Sequence, residues 1–111
     1  MNQLSWDDFK KVEMRVGTVI KTEPFYKAIN PSYKIWIDFG EKIGVKKTSA
    51  QVTVCYNPDE LVGKQVVAVV NFPSKQIANF MSECLLLGAV NGNEVVILQP
   101  ERPVKNGIQI G

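Results

Sequence analysis

The stretch from Val12 to Lys21, VEMRVGTVIK, decides the fold. Its apolar residues Val12, Met14, Val16 and Ile20 alternate with Glu13, Arg15, Gly17 and Lys21. A period of two predicts a long strand with one buried and one wet face. Gly17 in its middle marks a bulge or bend, the device that curves a strand enough to serve a small barrel. Arg15 is then expected on the outer face, either as a solvated charge or as a contact to phosphate or carboxylate.

Working outward, Ser5-Trp6-Asp7-Asp8 reads as a helix start. Ser5 is the N-cap, Asp8 takes the capping-box place, and Lys10 and Lys11 sit where the helix dipole favours cations. A helix over about 5–11 is too short to stand alone, and Trp6 with Phe9 gives it one apolar edge to dock. Downstream, Tyr33, Ile35, Ile37 and Phe39 alternate with Lys34, Trp36 and Asp38, a second strand that leaves Trp36 on the polar face. Val45 to Tyr56 reads as a third strand, with Ala50, Val52, Val54 and Tyr56 inward. Asn57 to Leu61 forms a helical turn, and Val66 to Val70 is a fully apolar central strand.

The last regular part is a hairpin, because Asn91-Gly92-Asn93 separates the apolar runs Leu85–Val90 and Val95–Leu98. Pro100 and Pro103 end it, and the tail from about 103 to 111 is too apolar to wave free. These elements predict one all-β domain over residues 1–111, a five-stranded barrel of the OB type with a short N-terminal helix and a mid-chain helical turn.

Composition narrows the function. The chain has 111 residues, 45% of them hydrophobic and 22% charged, with a net charge of +2 and no histidine. Without histidine the usual general base and the commonest metal ligand are both missing. No Gly-rich phosphate loop, nucleophile elbow or cysteine cluster appears, so we expect a binding protein with no enzymatic activity, no cofactor and no metal. The lysines are uneven: Lys42, Lys46 and Lys47 stand in an acid-free run to Val54, and Lys64 and Lys75 in another to Ser82. Such clustering can build a positive face on a nearly neutral protein. Cys55 and Cys84 both lie among apolar neighbours and are expected to be buried, reduced thiols, which suits a cytoplasmic protein. Neither an export signal nor a membrane anchor is expected.

The stretch Asn71 to Gly88, NFPSKQIANFMSECLLLG, follows the central strand and mixes polar with bulky apolar residues, as a binding surface does. Phe72 and Ile77 are expected in the core. Phe80 and Met81, flanked by Asn79 and Ser82, are expected at the surface.

The run Asp8 to Val19 resembles the opening strand of the tRNA-binding OB-fold domain, found alone and appended to some methionyl-tRNA synthetases. The resemblance continues through Asn30-Pro31, Tyr33-Lys34, Ile37 to Gly40, Thr48 to Thr53 and Val67 to Leu87. Within that superfamily the whole chain is most similar to the CsaA-type export-related chaperones, and the NFP…QI..FMSE segment is specific to that subgroup. The resemblance implies a homodimer joined through terminal segments, with Trp6, Phe9, Val104, Ile108 and Ile110 as candidate contacts. It also implies binding of unfolded or precursor polypeptides, with tRNA binding as the alternative.

For polypeptide, Trp36, Phe72, Phe80 and Met81 would take apolar side chains, and Lys75, Gln76 and Asn79 would bond the backbone. For RNA, Arg15, Lys34, Lys46, Lys47 and Lys75 would meet phosphates, and Asn79 and Ser82 a base or ribose. The RNA-binding relatives carry a denser basic run where this chain has Pro73-Ser74-Lys75-Gln76, which moves the expectation towards polypeptide.

Overall fold

The computed structural model describes residues 1–111. In chain order the elements are α1 (Trp6–Lys10), β1 (Met14–Pro24), β2 (Tyr33–Asp38), β3 (Val45–Ala50), α2 (Pro58–Leu61), β4 (Gln65–Val69), β5 (Lys75–Ile77), β6 (Phe80–Ser82), β7 (Leu85–Leu86), β8 (Gly88–Asn91) and β9 (Glu94–Ile97). Five strands form one antiparallel sheet in the order β3-β2-β1-β4-β7, and β5-β6 and β8-β9 are separate hairpins. The sheet curls into a nearly closed OB-type barrel. No helix is long and apolar enough to cross a membrane.

The long first strand organises this curl. Residues Met14–Thr18 of β1 pair with β4, and Thr18–Pro24 pair with β2. The bulge expected at Gly17 falls beyond it, where the register slips between Val19 and Lys21 and leaves Ile20 unpaired. Gly17 and Val19, ahead of the slip, share the face turned to the core, so Ile20 falls on the opposite face and is exposed, against the inward place expected for it. Gly17 has a different purpose. A Cβ there would stand 2.5 Å from Ile37 Cγ2 and 2.7 Å from Phe39 Cδ1, so its lack of a side chain lets the core close over the bend.

The core is built from Val19, Ile35, Ile37, Phe39, Val66 and Ala68, with Leu61 of α2 plugged into it. Val16 and Val67, paired on the opposite face of the sheet, are also buried. The apolar tail runs beside them. Gly107 donates to the Val16 carbonyl at 2.7 Å, Val16 to the Ile108 carbonyl at 3.1 Å, and Ile110 to the Met14 carbonyl at 2.9 Å. It therefore lies along the edge of β1 that β2 leaves free, as its apolar composition required.

Other expectations need correcting. The third strand ends at Ala50, and the chain turns through Thr53–Cys55 so that Val52 stays buried while Val54 and Cys55 are exposed. Only Cys84 is the buried thiol expected. At α1, Ser5 Oγ accepts from the Asp8 amide at 3.1 Å as a cap should, but the Asp8 carboxylate bonds Lys11 instead of closing a capping box. The Asn71–Ser82 connection is folded, not irregular. Ala78 and Asn79 make a two-residue turn that pairs Ile77 with Phe80 and Gln76 with Met81.

Candidate functional site

The β5-β6 hairpin folds over the outer face of β2 and β3, and its pairing decides which side chains meet that face. Ile77 and Phe80, directly paired, point the same way. Phe80 is consequently buried at 6% exposure, against the surface position expected for it. It packs edge-on to Phe25 at 5.5 Å and to Trp36 at 5.9 Å between centroids. Phe72, expected in the core, is exposed, because it precedes the hairpin and nothing folds over it. Met81 lies partly exposed on the outward side, as expected.

Lysines stand over this aromatic floor. Lys47 Nζ lies 5.0 Å from the Phe80 centroid, Lys34 Nζ 4.9 Å from Phe25 and 5.3 Å from Phe80, and Lys21 Nζ 4.7 Å from Trp36. Strand register produces the set, since Trp36 pairs with Lys21 on one side and Lys47 on the other. Each such contact is worth about 0.5–1 kcal/mol at a partly exposed site. Its greater consequence is to order the cations Lys34 and Lys47, whereas Lys21 is also paired with Glu23 Oε1 at 3.1 Å. Cationic side chains over π-faces suit a partner that carries phosphates and stacking bases.

The other expected RNA contacts divide. Lys75 is exposed beside Ser82, its partner across the hairpin. The Ser82 hydroxyl is already engaged, 3.0 Å from Thr48 Oγ1 and accepting from the Ser49 amide at 3.3 Å. Asn79 is exposed at the turn, and Gln76 Nε2 donates to the Ala78 carbonyl at 3.1 Å. Lys46 alternates away from Lys47, pairing with the inward Ile37, and acts electrostatically on Cys84. Arg15 is not a free charge on the outer face. Its guanidinium donates to Glu13 Oε2 at 2.9 Å and to the Gly107 carbonyl at 3.1 Å, while Nε is buried without a partner. Its place is the far end of the barrel, with Lys42 and Lys105 around a concavity of about 590 Å³.

A second feature adjoins the hairpin. An open groove of about 560 Å³ runs between the loop at Ala28–Ser32, the end of β3, the hairpin at Gln76–Ala78, and β7. Its lining includes Ile29, Val52, Ile77, Leu85, Leu86 and Val95 and contains no charged side chain. Ile29 is fully exposed on its rim. Sequence patterning missed this groove and also missed Lys21 and Phe25. The interstrand register places Lys21, and the loop fold places Phe25 and Ile29, neither of which a single strand's alternation reveals.

Of the expected dimer contacts, Trp6 is 81% exposed and Ile108 47% exposed, while Phe9, Val104 and Ile110 are half-buried.

Residues 14–109 match the family model described as "Putative tRNA binding domain". The chain belongs to the tRNA-binding domain family. A relative from this family context, the methionine–tRNA ligase of Thermococcus kodakarensis, is 33% identical over 110 residues, which is 99% of this chain and 14% of the ligase. The chain thus spans about one-seventh of such a relative. Among solved structures, the chaperone CsaA of Bacillus anthracis superposes with a TM-score of 0.94 at 45% identity, covering 99% of this chain and 100% of that one. The CsaA chaperone protein of Picrophilus torridus gives 0.92 at 46% identity, with 98% and 100% covered. This tRNA-binding domain therefore shares the fold and full length of chains described as chaperones.

Proposed function

We propose that this protein is a homodimeric, non-enzymatic chaperone of the cytoplasm that holds unfolded or precursor polypeptides in support of their export. The observation that carries the reading is the uncharged apolar groove beside the hairpin, rimmed by Ile29 and Ile77. Apolar side chains of a non-native chain gain about 25 cal/mol per Å² buried there, whereas a phosphate backbone gains nothing from a neutral lining. The full-length likeness to two chains called CsaA chaperones supports it.

A second reading, tRNA binding, is favoured by a separate observation. Lys21, Lys34 and Lys47 converge over Trp36, Phe25 and Phe80, and the family is a tRNA-binding one. Lys75 extends that surface.

Suppression of client aggregation tests the first reading. Purified protein at several-fold excess is expected to keep a thermally unfolding client in solution, and Ile29→Asp, at an exposed position that tolerates charge, is expected to abolish this. No suppression by the wild-type chain, with tRNA retained through moderate salt, would leave only the RNA reading.

A further inference from the structure

The barrel is stitched shut along only part of the seam between β3 and the segment from Ser82 through β7. At one end, the Glu83 amide donates to the Lys47 carbonyl at 2.8 Å and the Lys47 amide to Glu83 Oε1 at 3.0 Å. Next to it, Thr48 Oγ1 donates to the Cys84 carbonyl at 2.7 Å, and the Ser49 amide reaches Ser82 Oγ. Beyond Ser49 the stitching stops, and there the apolar groove opens.

Both edges of the opening carry unpaired backbone. In β3 the outward-turned positions alternate, Lys47 and Ser49 bonding across the seam, and just past its end Gln51, next in that alternation, bonds nothing in the chain. In β7, Leu85 pairs with Val69 and Leu87 donates to Val67 at 3.0 Å, so the amide and carbonyl of Leu86 between them point away from β4 and into the seam. Open strand edges of this kind accept an added strand.

We propose that one extended, uncharged stretch of polypeptide occupies the groove as an added strand, pairing its backbone with Gln51 and Leu86 and seating alternate side chains on Ile29, Ile77 and Leu85. This rests on the polypeptide-holding reading above. It explains how one groove serves many sequences, since backbone pairing is common to all of them and the neutral lining selects only against charge. It also sets nucleic acid apart, because the groove offers no cation to a phosphate.

The probe is a short fluorescent Val/Thr/Leu peptide, compared with two versions N-methylated at alternate amides in opposite registers. Blocking the amides that face the edge is expected to raise Kd about tenfold per hydrogen bond lost, with a smaller change in the other register. Hydrogen exchange is expected to show the Gln51 and Leu86 amides protected once the parent peptide binds. Equal affinity of both methylated peptides, or unprotected amides in the complex, overturns strand addition while leaving polypeptide capture by side chains intact. Failure of the parent peptide to bind overturns both. Protection of the same amides by an RNA oligonucleotide but not by peptide assigns the groove to nucleic acid and overturns the proposal.

Discussion

Lys47 Nζ lies 5.0 Å from the ring centroid of Phe80, so the residue that fastens the hairpin to the barrel also seats a cation above it. Phe80 is the hairpin's main apolar anchor, buried against Phe25 and Trp36. Phe80→Ala is expected to cost about 3 kcal/mol in urea unfolding and to shift Trp36 emission to the red as the hairpin loosens. Phe80→Leu should cost less. A loss below about 1 kcal/mol for the alanine variant would show that the hairpin is held by its backbone alone.

How far the sequence reveals this arrangement depends on the range of the interaction. Strands β1 and β2, the Asn91-Gly92 hairpin and the Ser5 cap are written in neighbouring residues, and they are present. Phe80 and Phe72 exchange their expected environments because the deciding fact is a two-residue turn at Ala78-Asn79, where Ala78 adopts φ +51 without being glycine. Turn chemistry gives no warning of an alanine in that conformation. Lys34 and Lys47 were legible as cations, yet the rings beneath them, Phe25 and Phe80, come from two distant parts of the chain.

The basic face should reveal itself through salt. If Lys34 and Lys47 each neutralise a phosphate, the double variant Lys34→Gln/Lys47→Gln is expected to flatten the slope of log K against log salt for tRNA by roughly 1.5. Arg15→Gln should leave that slope unchanged, because its guanidinium is spent on Glu13 and Gly107. Filter binding across a salt series measures both. An unchanged slope in the double variant would move the RNA surface elsewhere.

Gly17→Ala tests the packing of the bend. The new methyl would meet Ile37 Cγ2 at 2.5 Å and the Phe39 ring at 2.7 and 2.9 Å, so core side chains must leave their rotamers. A destabilisation of about 1–3 kcal/mol is expected. Phe39→Leu made in the same chain should recover part of it, a coupling that a double-mutant cycle reads directly.

The two cysteines should behave oppositely. Burial pushes the Cys84 thiol up to about 12 from an ordinary 9.0, with Lys46 opposing the shift, whereas Cys55 is exposed. At about pH 8 a thiol reagent is expected to label Cys55 in the native protein and Cys84 only after unfolding. Because the folded state holds the Cys84 proton more tightly, its contribution to stability is complete below pH 9.0 and declines as pH climbs towards about 12. Cys84→Ala should lack that alkaline decline in unfolding measured across the same range.

Dimer formation is tested at the two chain ends, which converge on the start of β1. The end of α1 is tied there by Asn71, whose Nδ2 donates to the Lys11 carbonyl at 2.7 Å and whose Oδ1 accepts from the Glu13 amide at 3.0 Å. The tail arrives at the same point through the Ile110 amide on the Met14 carbonyl. Paired residues share a face, so Ile108 and Ile110 extend the apolar row of Met14 and Val16, with Trp6, Leu4 and Val12 exposed nearby in sequence. Val16 is buried in that row, and the apolar surface left to water is that of Ile108, Trp6, Leu4 and Val12, the kind of patch that a second copy would cover. Ile108→Asp, at a half-exposed position, should alter monomer stability by no more than about 0.5 kcal/mol yet convert a dimer to monomers in sedimentation at micromolar concentration. Trp6→Ala should do the same less completely. A wild-type chain that sediments as a monomer at tens of micromolar would end the homodimer reading, because the row would then be no more than an exposed edge.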